Sequence, residues 1–261
     1  MAAAVSGLVV AALGKSFGAA CVVHDVSFAV SAGEMLALIG PNGAGKSTCF
    51  NMVGGQLRPD SGTITLTGSA GERVALAGRS PRAIWRLGVG RTFQITATFG
   101  SMTVRENVQI ALTAHRGGIW RFWRRAGKLF ADEADALLEQ VGLADEADRA
   151  AGVLAYGDLK RLELAMALAN APRLLLMDEP TAGMAAGERT ALMRLVRALA
   201  TARGIAVLFT EHDMDVVFGV SDRILVLDHG RIIAEGGGAE IRADARVRAV
   251  YLGTGMTSGG Y

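Results

Sequence analysis

Apolar residues recur along this chain with two different periods, and the change between them divides it. Over residues 8–39 short apolar runs alternate with Gly and polar breaks, which predicts strands, the first at 8–13. Residues 35–39 predict a buried strand running straight into a glycine-rich turn, with a helix over 46–54 behind it. Residues 63–66 and 73–76 predict a small antiparallel hairpin. From about residue 100 to Asn170 the period turns helical. Thr103 and Glu106 have capping-box spacing ahead of Val108, Ile110 and Leu112. Residues 131–141 and 158–168 have the period of amphipathic helices. Strands return at 174–177, 205–210 and 224–228, with helices at 186–200 and 213–220 between them. That order predicts a parallel sheet covered on both faces. The helical stretch is then an insertion, giving a core over 1–97 and 171–240, an insertion over 98–170 and a tail over 241–261.

Composition adds bounds. Hydrophobic residues make up 51% of the 261, enough for a core without disulfides or a metal. A net charge of +2 excludes the basic footprint of a nucleic-acid binder. Cys21 and Cys49 lack metal-site spacing and read as small buried residues in a reduced compartment. No apolar run reaches the roughly 18 residues of a membrane span. The apolar N-terminal stretch lacks a basic flank and reads as a strand rather than a signal peptide. The chain is therefore expected in the cytoplasm, meeting a membrane only through partners. No repeat of solenoid length is visible, and residues 254–261, small and polar, are expected to fray.

The chemistry is concentrated at strand ends. Gly40-Pro41-Asn42-Gly43-Ala44-Gly45-Lys46-Ser47 matches the P-loop pattern, between a buried strand and a helix. Its glycines let successive N–H groups face phosphate oxygens, and the helix start adds partial positive charge. Lys46 can reach the β- and γ-phosphates, and the Ser47 hydroxyl can coordinate Mg²⁺. Residues 174–177 end in Asp178 and Glu179. The first acid can support the metal shell and the second can accept a proton from an attacking water.

With these two motifs, four further features make the chain resemble the ATP-binding cassette family over essentially its whole length. Gln94, in Arg91-Thr92-Phe93-Gln94, is similar to that family's Q-loop glutamine. Leu154-Ala155-Tyr156-Gly157-Asp158 occupies the place of its signature loop, and His212 that of its switch histidine. Phe17 resembles the aromatic that stacks on adenine. The resemblance implies an α/β P-loop fold with an antiparallel β subdomain and an inserted helical subdomain. It implies ATP and Mg²⁺ as cofactors, with Thr48 joining residues 40–47 and Gly157 in nucleotide binding. Ser47, Gln94 and Asp178 would hold the metal, and Glu179, His212 and Gln94 would serve catalysis. It further implies that Gly157 completes the site of a second cassette, that permease subunits carry the cargo, and that an extracytoplasmic solute-binding protein acts indirectly. The place implied is the inner face of the cell membrane.

Departures narrow the resemblance. Ala155 stands where the signature has serine, Tyr156 where it has glycine, and Asp158 where it has glutamine. The D-loop aspartate is replaced by Ala185. These changes predict weaker dimer closure and leave cross-dimer communication open. Leu154 to Gly157, Lys160-Arg161-Leu162-Glu163-Leu164-Ala165 and Val250-Tyr251-Leu252-Gly253 are similar to ATP-binding subunits of branched-chain amino acid importers. Urea and amide importers and the ATPase of lipopolysaccharide export share much of the pattern. Two other classes stay open: a soluble cassette protein of translation or DNA repair, and a nucleotide-sensing module with little turnover. A basic, aromatic stretch containing Trp120, Phe122 and Trp123 reads as docking on the helical lobe, with lipid or permease contact as the alternative.

Overall fold

The computed structural model describes residues 7–68, 71–92, 98–116 and 129–252. The N-terminal part runs β1 (Gly7–Phe17), β2 (Ala20–Ser31), β3 (Met35–Ile39), α1 (Lys46–Val53), β4 (Ser61–Thr67), β5 (Arg73–Ala75), α2 (Pro81–Arg86) and β6 (Val89–Thr92). Helices follow as α3 (Val104–Arg116), α4 (Ala131–Val141) and α5 (Tyr156–Leu168). The C-terminal part is β7 (Leu174–Asp178), α6 (Ala186–Arg203), β8 (Ala206–Thr210), α7 (Met214–Val220), β9 (Arg223–Asp228), β10 (Arg231–Gly236), α8 (Gly238–Ala243) and α9 (Ala245–Leu252).

Two sheets result. One has the order β10-β9-β3-β8-β7-β6, parallel except for the antiparallel edge strand β10. The other is antiparallel, in the order β2-β1-β4-β5. All five residues of β3 and of β8 are buried, as strands covered on both faces require. The two-residue period sorts their side chains. Leu36, Leu38, Leu174, Leu176 and Leu208 face a core shared with the antiparallel sheet and α1. Met35, Ala37, Ile39, Leu175 and Phe209 face the opposite core, which continues into α3, α4 and α5 through Val108, Leu112, Leu138 and Leu164. One sheet thus holds the helical group on one face and the β layer on the other.

The α/β architecture expected from the sequence is present. The capping box forms, with the Thr103 N–H donating to Glu106 Oε2 at 2.8 Å and the Glu106 N–H to Thr103 Oγ1 at 3.1 Å. Residues 8–13 lie within a strand paired on both sides, to β2 and to β4. Among the described residues no helix is long and apolar enough to cross a membrane.

Several elements escaped the pattern. The strand β6 carries Gly90 and Arg91 at the sheet edge, so its apolar run is broken. Helix α2 begins with Ser80 accepting from the Ala83 N–H and Pro81 in the first turn, a start signal on a segment with few apolar residues. Strand β10 is also an edge strand, and the tail from 241 is helical in α8 and α9 rather than plain. Residues 254–261 and 117–128 lie outside the described residues. One expectation is corrected: Cys49 is buried, but Cys21 is exposed. It lies just after the β1–β2 turn, at an end of the hairpin that other elements do not cover.

Asn107 fixes the entry to the helical group. It is fully buried. Its Oδ1 accepts from the Phe99 N–H at 2.7 Å, and its Nδ2 donates to Phe99 O at 3.2 Å and Thr103 O at 2.9 Å. Asn107→Ala removes all three side-chain bonds, leaves the Phe99 N–H without its acceptor and empties a fully buried position. A loss of about 2–3 kcal/mol in unfolding free energy is expected in denaturant titration; a change below about 0.5 kcal/mol would contradict this role.

Candidate active site

The P-loop follows β3 directly, and its shape depends on close backbone packing. A Cβ on Gly40 would lie 2.0 Å from Leu227 O, and one on Gly45 (φ +101°) 2.8 Å from Val22 O. The β9–β10 turn braces the loop: the Gly230 N–H donates to Ala44 O at 3.0 Å, and the His24 N–H to Gly230 O at 2.8 Å. Lys46 is 9% exposed, and its ammonium donates to Gly40 O at 2.6 Å and Pro41 O at 3.0 Å. Burial lowers its pKa, while the nearby Glu179 and Asp178 carboxylates act in the opposite sense. Ser47 is exposed and Thr48 half-buried on the first turn of α1.

The adjacent strand ends supply the acids. Asp178 closes β7, with Oδ1 accepting from the Thr210 hydroxyl at 2.8 Å. The Arg91 guanidinium stands 3.9 Å from Asp178 Oδ2 and donates to Asn51 Oδ1 at 3.0 Å. Glu179 sits in the left-handed region at φ 46°, its N–H directed at Thr210 O (3.2 Å) and Thr210 Oγ1 (3.1 Å). His212 Nε2 lies 2.8 Å from Glu179 Oε1. Four sequence-marked residues therefore meet at one end of the parallel sheet, where open α/β sheets place ligands: Lys46, Asp178, Glu179 and His212. Among the described residues no cluster of three His, Cys, Asp or Glu could hold a metal. The Ser47 hydroxyl and Asp178 carboxylate are hard oxygen donors, and they suit a cation that keeps phosphate and water in its shell.

Other marked residues lie apart. Phe17 is 52% exposed at the end of β1, with Lys15 Nζ 5.7 Å from its ring centroid. Its hairpin is the one whose Val22 carbonyl abuts Gly45. Gly157 lies on the first turn of α5, beside Glu188 of α6. Residues 93–97, with Gln94 among them, fall outside the described residues.

A model of the ABC transporter family matches residues 23–182, and one of the branched-chain amino acid ATP-binding cassette transporter matches residues 231–256. The chain belongs to the ABC transporter family. As a cassette of this family it binds ATP and hydrolyses it. It is 41% identical over 253 residues to the high-affinity branched-chain amino acid transport ATP-binding protein LivG of Salmonella typhimurium, covering 94% of this chain and 97% of the relative. It is 37% identical over 253 residues to BraF of Pseudomonas aeruginosa, a protein of the same description, with the same coverage. Among solved structures it superposes on a nucleotide-free cassette from an ABC transporter with TM-score 0.81 at 31% identity, covering 94% of this chain and 98% of that one. A cassette in its ADP conformation gives 0.81 at 30% identity, with 95% and 98% covered.

The cassette's fold gives two residues packing roles that the sequence reading did not assign. Glu211, buried, accepts from the Thr181 N–H (2.9 Å) and hydroxyl (2.7 Å), tying β8 to the loop after Glu179. Tyr251 of α9 packs on the core beside Ile39 and Met214. Burial pushes its phenol up to about 12, with the Gly40 N–H acting the other way. A neighbouring cavity of about 500 Å³ is lined by the P-loop, Asp228, His229 and Val250. The sequence marked Tyr251 only as part of the ending Val250-Tyr251-Leu252-Gly253. A further groove, about 670 Å³ and mostly apolar, lies between the core and the helical group, lined in part by Gln56, Trp85, Arg91, Glu163 and Met166.

Lys46 offers the cation best placed for phosphate. Lys46→Ala is expected to weaken MgATP binding about tenfold to a hundredfold, as loss of a charged hydrogen bond of about 1.5–3 kcal/mol implies. Titration with a fluorescent ATP analogue reads this directly; affinity within twofold of the parent would contradict it.

Proposed function

We propose that this cassette is the ATP-hydrolysing subunit of an importer for branched-chain amino acids. The observation that carries the cargo assignment is the match of residues 231–256 to the branched-chain amino acid cassette model, joined to 37–41% identity along the chain to LivG and BraF. In this reading residues 1–261 form one cassette, with a helical lobe over 98–170 and a tail over 241–261. It works on the inner face of the membrane, against permease subunits and a second cassette, and an extracytoplasmic solute-binding protein delivers the amino acid. The mostly apolar groove between core and helical group suits a permease segment.

The residues divide the work as follows. Gly40, Pro41, Asn42, Gly43, Ala44, Gly45, Ser47 and Thr48 line the phosphates with N–H and hydroxyl groups. Lys46 exchanges the Gly40 and Pro41 carbonyls for phosphate oxygens, a better match for a buried ammonium. Phe17 offers its exposed face to the adenine. Ser47, Asp178 and Gln94 would hold Mg²⁺, which supplies charge neutralisation at the phosphates when bound. Glu179 takes the proton of the attacking water, and His212, 2.8 Å away, orients it and faces the γ-phosphate. Gly157 presents the start of α5 to the nucleotide held by the partner cassette. Catalysis is then mostly positioning and charge stabilisation.

Glu179→Gln keeps the shape but not the basicity. A fall in kcat of about 10²–10⁴ is expected, with ATP binding retained and an ATP-dependent dimer that persists. Hydrolysis within threefold of the parent would remove Glu179 as the base. Reconstitution with its permease and solute-binding protein tests the cargo. Leucine, isoleucine or valine is expected to stimulate hydrolysis where urea does not, and stimulation by urea alone would overturn the assignment.

A further inference from the structure

The loop from Glu179 to Ala185 is held by its own turns and by three side chains from outside it. Its own turns are set by the Ala182 N–H to Glu179 O and the Met184 N–H to Thr181 O, each 3.1 Å. Glu211 grips Thr181 from β8. The Tyr156 hydroxyl, from the first residue of α5, donates to Ala182 O at 3.1 Å. Its ring covers Gly183, where an added Cβ would stand 3.5 Å from a ring carbon and φ is +80°. Arg189 Nε donates to Met184 O at 2.7 Å, while its Nη1 reaches Asp213 Oδ2 at 2.8 Å. Asp213 Oδ1 caps α7 through the Asp215 and Val216 N–H groups, one residue after His212.

These bonds make a continuous physical route. It runs from Tyr156 to Ala182 and along the loop to Met184, then through Arg189 and Asp213 to His212, which touches Glu179. The positions that depart from the family's usual residues stand on this route or beside it. Tyr156 replaces a signature glycine, and Ala185, which has no carboxylate, replaces the D-loop aspartate. The aromatic hydroxyl therefore holds the loop from within the subunit.

We infer that Tyr156 is a positioning residue through which the helix start that completes the partner's site sets the loop carrying Glu179 in its own. The inference rests on the proposed composite site, with Gly157 engaging the partner's nucleotide. Engagement there fixes the start of α5, and Tyr156 passes that constraint to Ala182. Occupancy of one site then orders the base in the other, which is positive cooperativity between the two sites. Tyr156 is 41% exposed, so its hydroxyl is held by this bond rather than by burial.

The test uses the cassette assembled with its permease. Tyr156→Phe keeps the ring over Gly183 and removes only the hydroxyl. For two sites the Hill coefficient for ATP is expected near 2 in the parent and near 1 in Tyr156→Phe, about the range two sites allow. The melting temperature and the affinity of the isolated cassette for MgATP are expected to be unchanged. Tyr156→Ala removes ring and hydroxyl together and is expected to lower kcat further. A parent coefficient of 1, or a coefficient that Tyr156→Phe leaves unchanged, overturns the inference. Glu179→Gln in the same assay reads the identity of the base separately: retained hydrolysis there removes the base, a parent coefficient of 1 removes the coupling between composite sites, and an unaltered coefficient in Tyr156→Phe removes the strut alone.

Discussion

The peptide of Glu179 is held in a conformation that a glutamate avoids, and the strand ends that gather Lys46, Asp178 and His212 are arranged around that fact. At φ 46° its backbone costs about 1–2 kcal/mol relative to the right-handed region. Thr210 offsets this with two acceptors for one N–H, its carbonyl and its hydroxyl oxygen. The same hydroxyl donates to Asp178. One threonine at the end of β8 therefore fixes both acids at the end of β7, and the parallel pairing of Asp178 with Thr210 brings it there. The turn re-aims the chain so that Glu179 meets His212 while Asp178 stays with the strand.

That local strain is sustainable because the sheet beneath is rigid. Its central strands are buried on both faces, and alternate residues serve two separate cores. Strand ends in such a sheet move little, so the P-loop after β3, the acids after β7 and the histidine after β8 keep a common frame. Lys46 is partly desolvated within that frame, with its ammonium on two backbone carbonyls. A phosphate would offer the same donors a charged partner, so in the proposed binding mode the nucleotide meets a lysine already in position.

Four of the five parallel strands and most helices were legible because each is periodic and local. Residues 35–39, 174–177 and 206–209 are unbroken apolar runs, and Thr103 with Glu106 announced a helix start that the hydrogen bonds bear out. The edge strand Val89–Thr92 was hidden because an edge tolerates glycine and a charge. Long-range contacts carry no period at all. Nothing in the order of residues announces that Tyr156 reaches Ala182, that Arg189 spans Met184 and Asp213, or that Tyr251 packs beside Ile39 and Met214. The altered signature is a case in point. Read as sequence, Ala155 and Tyr156 are losses at a phosphate, whereas in the fold the tyrosine gains a partner in the D-loop.

The most direct measurement is the structure of the Glu179→Gln cassette with MgATP, solved at a resolution that shows the terminal phosphate. Two chains should be seen facing each other, each γ-phosphate lying between Lys46 of one and the Gly157 N–H of the other, with the Tyr156 hydroxyl still on Ala182. A lone chain, or a pair in which Gly157 stays far from both nucleotides, would contradict the composite site on which the transport cycle is built.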